Sequence, residues 1–169
     1  TSSYGLDIDS DGIAYISGLT SSTSAVFGSF TLTGDSTSDA FLARLDSNGN
    51  FEWVRRWGGT SGLTSKTVQV DADDIIHLSG SFFETVDFDP SANTFSMTTA
   101  GGMDGFISRF TSDGVFLSAV SIGGTLGDNF SELVIDAAGN TYAAGYFNGT
   151  AQFGSHVLTS VMSPNYGNL

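Results

Sequence analysis

One segment of this chain returns at a near-constant interval, and that constrains the fold more than any other feature. Ile8-Asp9-Ser10-Asp11-Gly12 through Gly18 comes back as Val70-Asp71 through Gly80, and again as Ile135-Asp136 through Gly145. From Asp9 to Asp71 is 62 residues, and from Asp71 to Asp136 is 65. A second block, Asp39-Ala40-Phe41-Leu42-Ala43-Arg44-Leu45, returns 65 residues on as Asp104-Gly105-Phe106-Ile107-Ser108-Arg109-Phe110. Trp57-Gly58-Gly59 returns at the same step as Ile122-Gly123-Gly124. The three-residue difference falls in one place: 21 residues separate Gly18 from Asp39, and 24 separate Gly80 from Asp104. Insertion confined to one connection, with the matched segments held constant, is the mark of a repeat with a fixed core and variable loops. A unit of this length cannot bury its own faces, whereas stacked copies can.

Within each copy the pattern predicts four short strands. The first covers 5–9, 67–71 and 132–136, and a tight turn follows at Ser10-Asp11-Gly12, Ala72-Asp73-Asp74 and Ala137-Ala138-Gly139-Asn140. Asp-Gly and Gly-Asn suit turns that need positive φ. The second strand covers 13–19, 75–82 and 141–147, and a variable hairpin follows around Phe27-Gly28, Phe88-Asp89 and Phe153-Gly154. The third covers 40–45 and 105–110. After Ser47-Asn48-Gly49 or Ser112-Asp113-Gly114, the fourth covers 51–57 and 115–122. Alternation places Phe41, Ala43 and Leu45 on one face with Arg44 on the other, and groups Phe51, Trp53 and Trp57 with Arg55 on a shared face. No window sustains a period of 3.6, so helix is disfavoured.

Four antiparallel strands per unit with glycine punctuation fit a β-propeller blade. The 14 Phe, 2 Trp and 5 Tyr then fill the layers between blades. The order Asp-x-x-Gly-x-x-Tyr-x-x-Gly, then Asp-Ala-Phe-Leu-Ala-Arg-Leu-Asp-Ser-Asn-Gly-Asn, then Trp-Gly-Gly resembles the bacterial β-propeller repeats labelled SBBP. Val86-Asp87-Phe88-Asp89-Pro90 resembles a variant found in long secreted repeat proteins. The resemblance implies an all-β propeller, an exported or cell-surface setting in a bacterium, and no catalytic residues. The expected organisation is one propeller domain with copies at 1–66 and 67–131 and an incomplete copy at 132–169. About 2.7 units cannot close a ring that takes about 4 to 8 blades. The expectation is a segment of a longer chain, with self-assembly of several copies as the alternative. The opening Thr1-Ser2-Ser3 in place of Met points the same way. A β-solenoid fits less well, because its rungs are shorter than this unit.

Charge narrows the partners. With 18 acidic and 5 basic residues, the formal net charge of −13 repels a phosphate backbone, so no nucleic-acid partner is expected. Solubility is the simpler reading of so acidic a surface. The charged fraction is only 14%, well under the usual quarter or so, and Ser, Thr, Gly and Asn take the place. There is no cysteine, hence neither a disulfide framework nor thiol chemistry. No apolar run approaches the length of about 18 residues that marks a membrane-spanning helix.

Few residues suggest chemistry. Asp7, Asp9 and Asp11 alternate ahead of Gly12, a pattern whose oxygens can wrap Ca²⁺. However, Gly18 stands where a bidentate glutamate is needed. Asp7 also becomes Gln69 and Val134 in the later copies, and Asp11 becomes Asp73 and Ala138. The persistent Asp9, Asp71 and Asp136 instead fit Asx-turns that accept backbone N–H groups. Asp87, Asp89 and Glu84 form a second acidic group, read as a polar turn with Phe88 tucked inward. His77 stands where other copies carry Tyr15 and Tyr142, so it reads as a packing residue, and neither it nor His156 has companions at zinc spacing. Arg44 and Arg109 occupy equivalent positions suited to turn or inter-unit carboxylates. Asn129-Phe130-Ser131 and Asn148-Gly149-Thr150 match the glycosylation sequon.

The sequence thus points to a non-catalytic extracellular or cell-surface propeller segment with a structural, adhesive or assembly role. It needs no cofactor, and its partners are further blades or proteins of a surface assembly. One alternative is a carbohydrate- or Ca²⁺-binding propeller module; another is part of a larger secreted enzyme whose active site lies elsewhere.

Overall fold

The computed structural model describes residues 1–34, 38–58 and 62–160. Gly59 of the Trp-Gly-Gly motif and the stretch from 161 to 169 lie outside the described residues. The described residues form β1 (Ser2–Ile8), β2 (Ala14–Thr20), β3 (Ser24–Phe27), β4 (Phe30–Thr33), β5 (Asp39–Leu45) and β6 (Phe51–Trp57) in the first copy. The second holds β7 (Leu63–Val70), β8 (Ile76–Phe82), β9 (Thr85–Asp87), β10 (Ser96–Thr98), β11 (Asp104–Phe110) and β12 (Phe116–Gly124). The third holds β13 (Asn129–Ile135), β14 (Thr141–Tyr146), β15 (Thr150–Phe153) and β16 (His156–Thr159). The fold is all-β and its pairings are antiparallel. No helix among the described residues is long and apolar enough to cross a membrane.

The variable connection between second and third strands is itself a two-stranded hairpin, so a complete copy holds six strands rather than four. In the first copy the main sheet runs β1-β2-β5-β6, with β3-β4 set apart as its own sheet. In the second, β7-β8-β11-β12 follow the same order, and the third copy's hairpin extends that sheet to six strands by pairing β15 with β12. The third copy's own first strands, β13 and β14, make a separate two-stranded sheet.

The turn after the first strand is built identically each time. The Asp9 N–H donates to the Ile13 carbonyl and the Gly12 N–H to the Asp9 carbonyl; Asp71 and Asp136 repeat both bonds. The fourth turn residue then needs a left-handed backbone, supplied by Gly12 and Gly139 at φ +79° but by Asp74 at φ +59° in the second copy. A side chain with a Cβ is strained there.

One large apolar cluster joins the first two copies. Tyr15, Leu42, Trp53 and Trp57 of the first meet Val68, Leu78, Phe106 and Phe110 of the second. The Trp57 and Phe110 rings lie 5.2 Å apart, and the Trp53 indole N–H donates to the Ser112 carbonyl at 3.2 Å. Each such aromatic is worth about 3–5 kcal/mol relative to alanine, so these two tryptophans do much to hold the copies together. Phe51 does not share their face. The register shifts between Arg44 and Leu45, a bulge that reverses the alternation. Phe51 therefore packs with Phe41, Ala43, Val54 and Phe27 in a second cluster.

Replacing Asp74 by glycine removes the left-handed strain without touching the turn's bonds. Asp74→Gly is expected to raise stability by about 1 kcal/mol, read as a shift of the urea midpoint at unchanged slope.

Candidate functional site

The repeated aspartates are structural locks in this geometry. Asp9 Oδ1 accepts from the Asp11 and Ile13 N–H groups at 3.0 and 2.9 Å, while Oδ2 accepts from the Tyr15 hydroxyl at 3.3 Å. Asp136 repeats this with Ala138, Asn140 and the Tyr142 hydroxyl. Asp71 uses Asp73 and Ile75, and its other oxygen meets His77 Nε2 at 2.9 Å. The residue six positions after the turn aspartate is thus the same latch three times, Tyr, His and Tyr.

Asp7, Asp9 and Asp11 are not brought together as a ligand set. Asp9 faces its own turn, and Asp7 Oδ2 reaches to the second copy, accepting from the Val70 N–H at 2.8 Å. Among the described residues no three His, Cys, Asp or Glu side chains converge in a way that can hold a metal ion. Asp87 and Asp89 likewise serve backbone groups, those of Asp89, Phe95 and Ser91. Phe88 is fully buried between Phe82 and Phe106. Arg44 lies 3.0 Å from Glu52 and 3.4 Å from Asp113 in the turn of the second copy, and Arg56 pairs with Asp39 at 2.6 Å. Both sequon asparagines have occupied side chains: Asn129 donates to Ser81 Oγ and Asn148 to the Gly127 carbonyl.

The buried His77 bridges Asp71 and Thr141. The Thr141 hydroxyl, from the third copy, lies 3.1 Å from His77 Nδ1. A neutral imidazole protonated at Nε2 satisfies both neighbours, donating to Asp71 and accepting from Thr141. Burial pushes the His77 pKa below its usual value, and the Arg109 charge adds to that, while Asp71 opposes both. Burial tends to raise the Asp71 carboxyl, but the bonds from His77 and the Ile75 and Asp73 amides outweigh it and hold the group low. Tyr15, in the equivalent place, is pushed up to about 12, first by burial and then by the nearby Asp9. A second buried carboxylate, Asp104, is raised by burial and by neighbouring Asp128, against a bond from the Ala100 N–H.

The sequence pattern held no sign of one further feature, an apolar cleft of about 330 Å³ beside β14. Ala143, Gly145, Phe147, Phe153 and Leu158 line it together with Gly105 and Ile122 of the second copy, and the polar Asp128 and Asn129 also border it. Phe147 and Phe153 meet edge-on with ring centres 5.4 Å apart.

No family model matches the chain, and no curated protein matches it.

The buried imidazole makes stability depend on pH. Its folded pKa lies below the unfolded value of about 6.5, so the unfolded chain binds the extra proton first as pH falls. Stability is fully present above that value and declines as the pH drops through it. His77→Tyr, which copies Tyr15 and Tyr142, is expected to fold and to flatten the change in urea midpoint between pH 7.5 and pH 5.5.

Proposed function

We propose that the chain is a non-catalytic β-propeller-type repeat segment that works outside the cell or on its surface as a structural, adhesive or assembly module. The observation that carries this reading is how burial changes along equivalent positions. Leu6 is 63% exposed, whereas its counterparts Val68 and Leu133 are 2% and 0% exposed. At the opposite face the order reverses: Tyr15 and His77 are 0% and 1% exposed, and Tyr142 is 56% exposed. Each copy covers one face of the copy before it, and among the described residues the outer faces of the first and third copies have no such cover.

Those end faces match the surfaces that already join internal copies. Tyr4, Leu6 and Ile8 alternate along β1 and stand exposed at one end, while Val134 and Tyr142 pair across β13 and β14 at the other. Joining such unlike faces is head-to-tail association, which gives a ring when the rotation closes. The polar groups favour a structural role as well, because Asp7, Asp9, Asp71, Asp136 and the buried imidazole are engaged by turns and neighbouring copies. The exported setting rests on the SBBP-like motifs.

Sedimentation over a rising concentration series is expected to show head-to-tail association. Leu6→Asp and Tyr142→Asp are each expected to abolish it by placing a carboxylate in the joint. A chain that stays monomeric at millimolar concentration, or associates equally well in both variants, contradicts the reading.

A further inference from the structure

Two departures from the repeat meet at the joint between the first and second copies. The hairpins β3-β4 and β15-β16 each turn through two residues, Gly28-Ser29 and Gly154-Ser155. In the second copy β9 ends at Asp87 and β10 begins at Ser96, so the eight residues 88–95 connect them. A lengthened surface loop on a fixed frame is where repeat proteins carry binding residues. The other departure is Arg55. Trp53, Arg55 and Trp57 alternate on the face of β6 that meets the second copy, and 65 residues on their places are held by Ser118, Val120 and Ile122, with no cation.

Both departures border one cleft of about 220 Å³. Arg55 reaches it from the first copy; Asp89, Ser91 and Asn93 of the long loop, with Val115 and Phe116, line it from the second. The Arg55 guanidinium carbon lies 5.4 Å from the centre of the Trp53 ring, close enough for cation–π attraction to hold it in place. One of its N–H groups donates to the Val54 carbonyl at 3.3 Å. Arg44 and Arg56 each pair with a carboxylate, whereas none among the described residues comes within ion-pair distance of Arg55. The loop is fixed by its own bonds: Asp89 Oδ1 accepts from the Ser91 N–H at 2.9 Å, and Ser91 Oγ from the Asn93 N–H at 3.1 Å. Among the described residues those bonds leave Asp89 Oδ2 and the Asn93 carboxamide to a ligand. Phe116 packs on Phe95 and Phe110, with ring centres 5.0 and 5.7 Å away, and adds an apolar surface beside the exposed Val115.

We propose that this cleft binds one neutral sugar residue. The charges of Arg55 and Asp89 cancel, so the site suits a ligand without net charge, and the chain's net charge of −13 repels an anion. A ligand that meets Arg55, Asp89 and Asn93 together must both accept and donate hydrogen bonds, as neighbouring hydroxyls do. The C–H face of a pyranose ring matches Val115 and Phe116, giving the usual mixture of apolar lining and a few fixed polar groups. The volume lies below the roughly 300 Å³ at which pockets for drug-sized molecules begin, which fits a single ring. The inference rests on the adhesive role proposed above and adds to it what is bound: a surface that carries neutral sugars.

The test uses the full chain carrying Leu6→Asp, which blocks face-to-face association, so sugar binding and stacking are read separately. The methyl glycosides of glucose, galactose, mannose and N-acetylglucosamine are titrated one at a time. The readout is the NMR signals of the Trp53 indole N–H and the Asn93 carboxamide. At least one glycoside is expected to saturate with a Kd below about 10 mM and to move both signals. Arg55→Val installs the residue that the second copy carries as Val120, so it is expected to fold and to bind that glycoside at least about tenfold more weakly. Asn93→Ala, in an exposed loop, is expected to act in the same direction. Saturation by none of the four, or unchanged affinity in both variants, overturns the proposal. So does tighter binding of glycine than of every glycoside, because Arg55 and Asp89 then form a zwitterion site. Sugar binding by a chain whose wild-type form never associates supports the site and removes only the stacking role.

Discussion

A β-sheet one layer thick has two faces and can cover neither without a second layer. In this protein the second layer is the next copy of the same sheet, and everything else follows from that dependence. Val68 and Leu133 are buried because a preceding copy lies over them, while Leu6 has no such cover. The tryptophans of β6 serve that joint: Trp53 and Trp57 belong to the first copy by sequence but to the shared cluster by contact. Stability here is a property of joints, as expected for a quasi-one-dimensional repeat.

The joints work only if each copy presents the same outline, and the turn aspartate enforces this locally. By taking two backbone N–H groups with one oxygen and a Tyr or His side chain with the other, it fixes the turn to the second strand. It also aims an aromatic ring toward the next copy. Substituting His77 for tyrosine keeps the latch but adds a second nitrogen, which the third copy meets with Thr141. Burial disfavours the charged form of that imidazole, so its protonation opposes folding.

Much of this was legible in the sequence, and the failures have physical causes. The main strands and the turns were readable because Asp-Gly punctuation and period-two alternation are local signals. The Asx role of Asp9, Asp71 and Asp136 followed from their recurrence. The hairpins β3-β4, β9-β10 and β15-β16 were readable as connections, but not the pairing of β15 with β12, since a hairpin's choice of sheet is a tertiary matter. Phe51 was assigned to the wrong face because a bulge inserts one residue and inverts strict alternation beyond it. The cleft beside β14 left no signature at all.

The most direct test of copy-on-copy coverage is native-state hydrogen exchange, strand by strand, at a concentration where the chain is monomeric. Opening free energy should follow coverage, because strands with fewer buried contacts open at lower cost. The account predicts the slowest exchange in β8 and β11, which have neighbours on both sides, and markedly faster exchange in β1 and β14 at the uncovered ends. Protection in β14 equal to that in β8, or in β1 equal to that in β7, would contradict it.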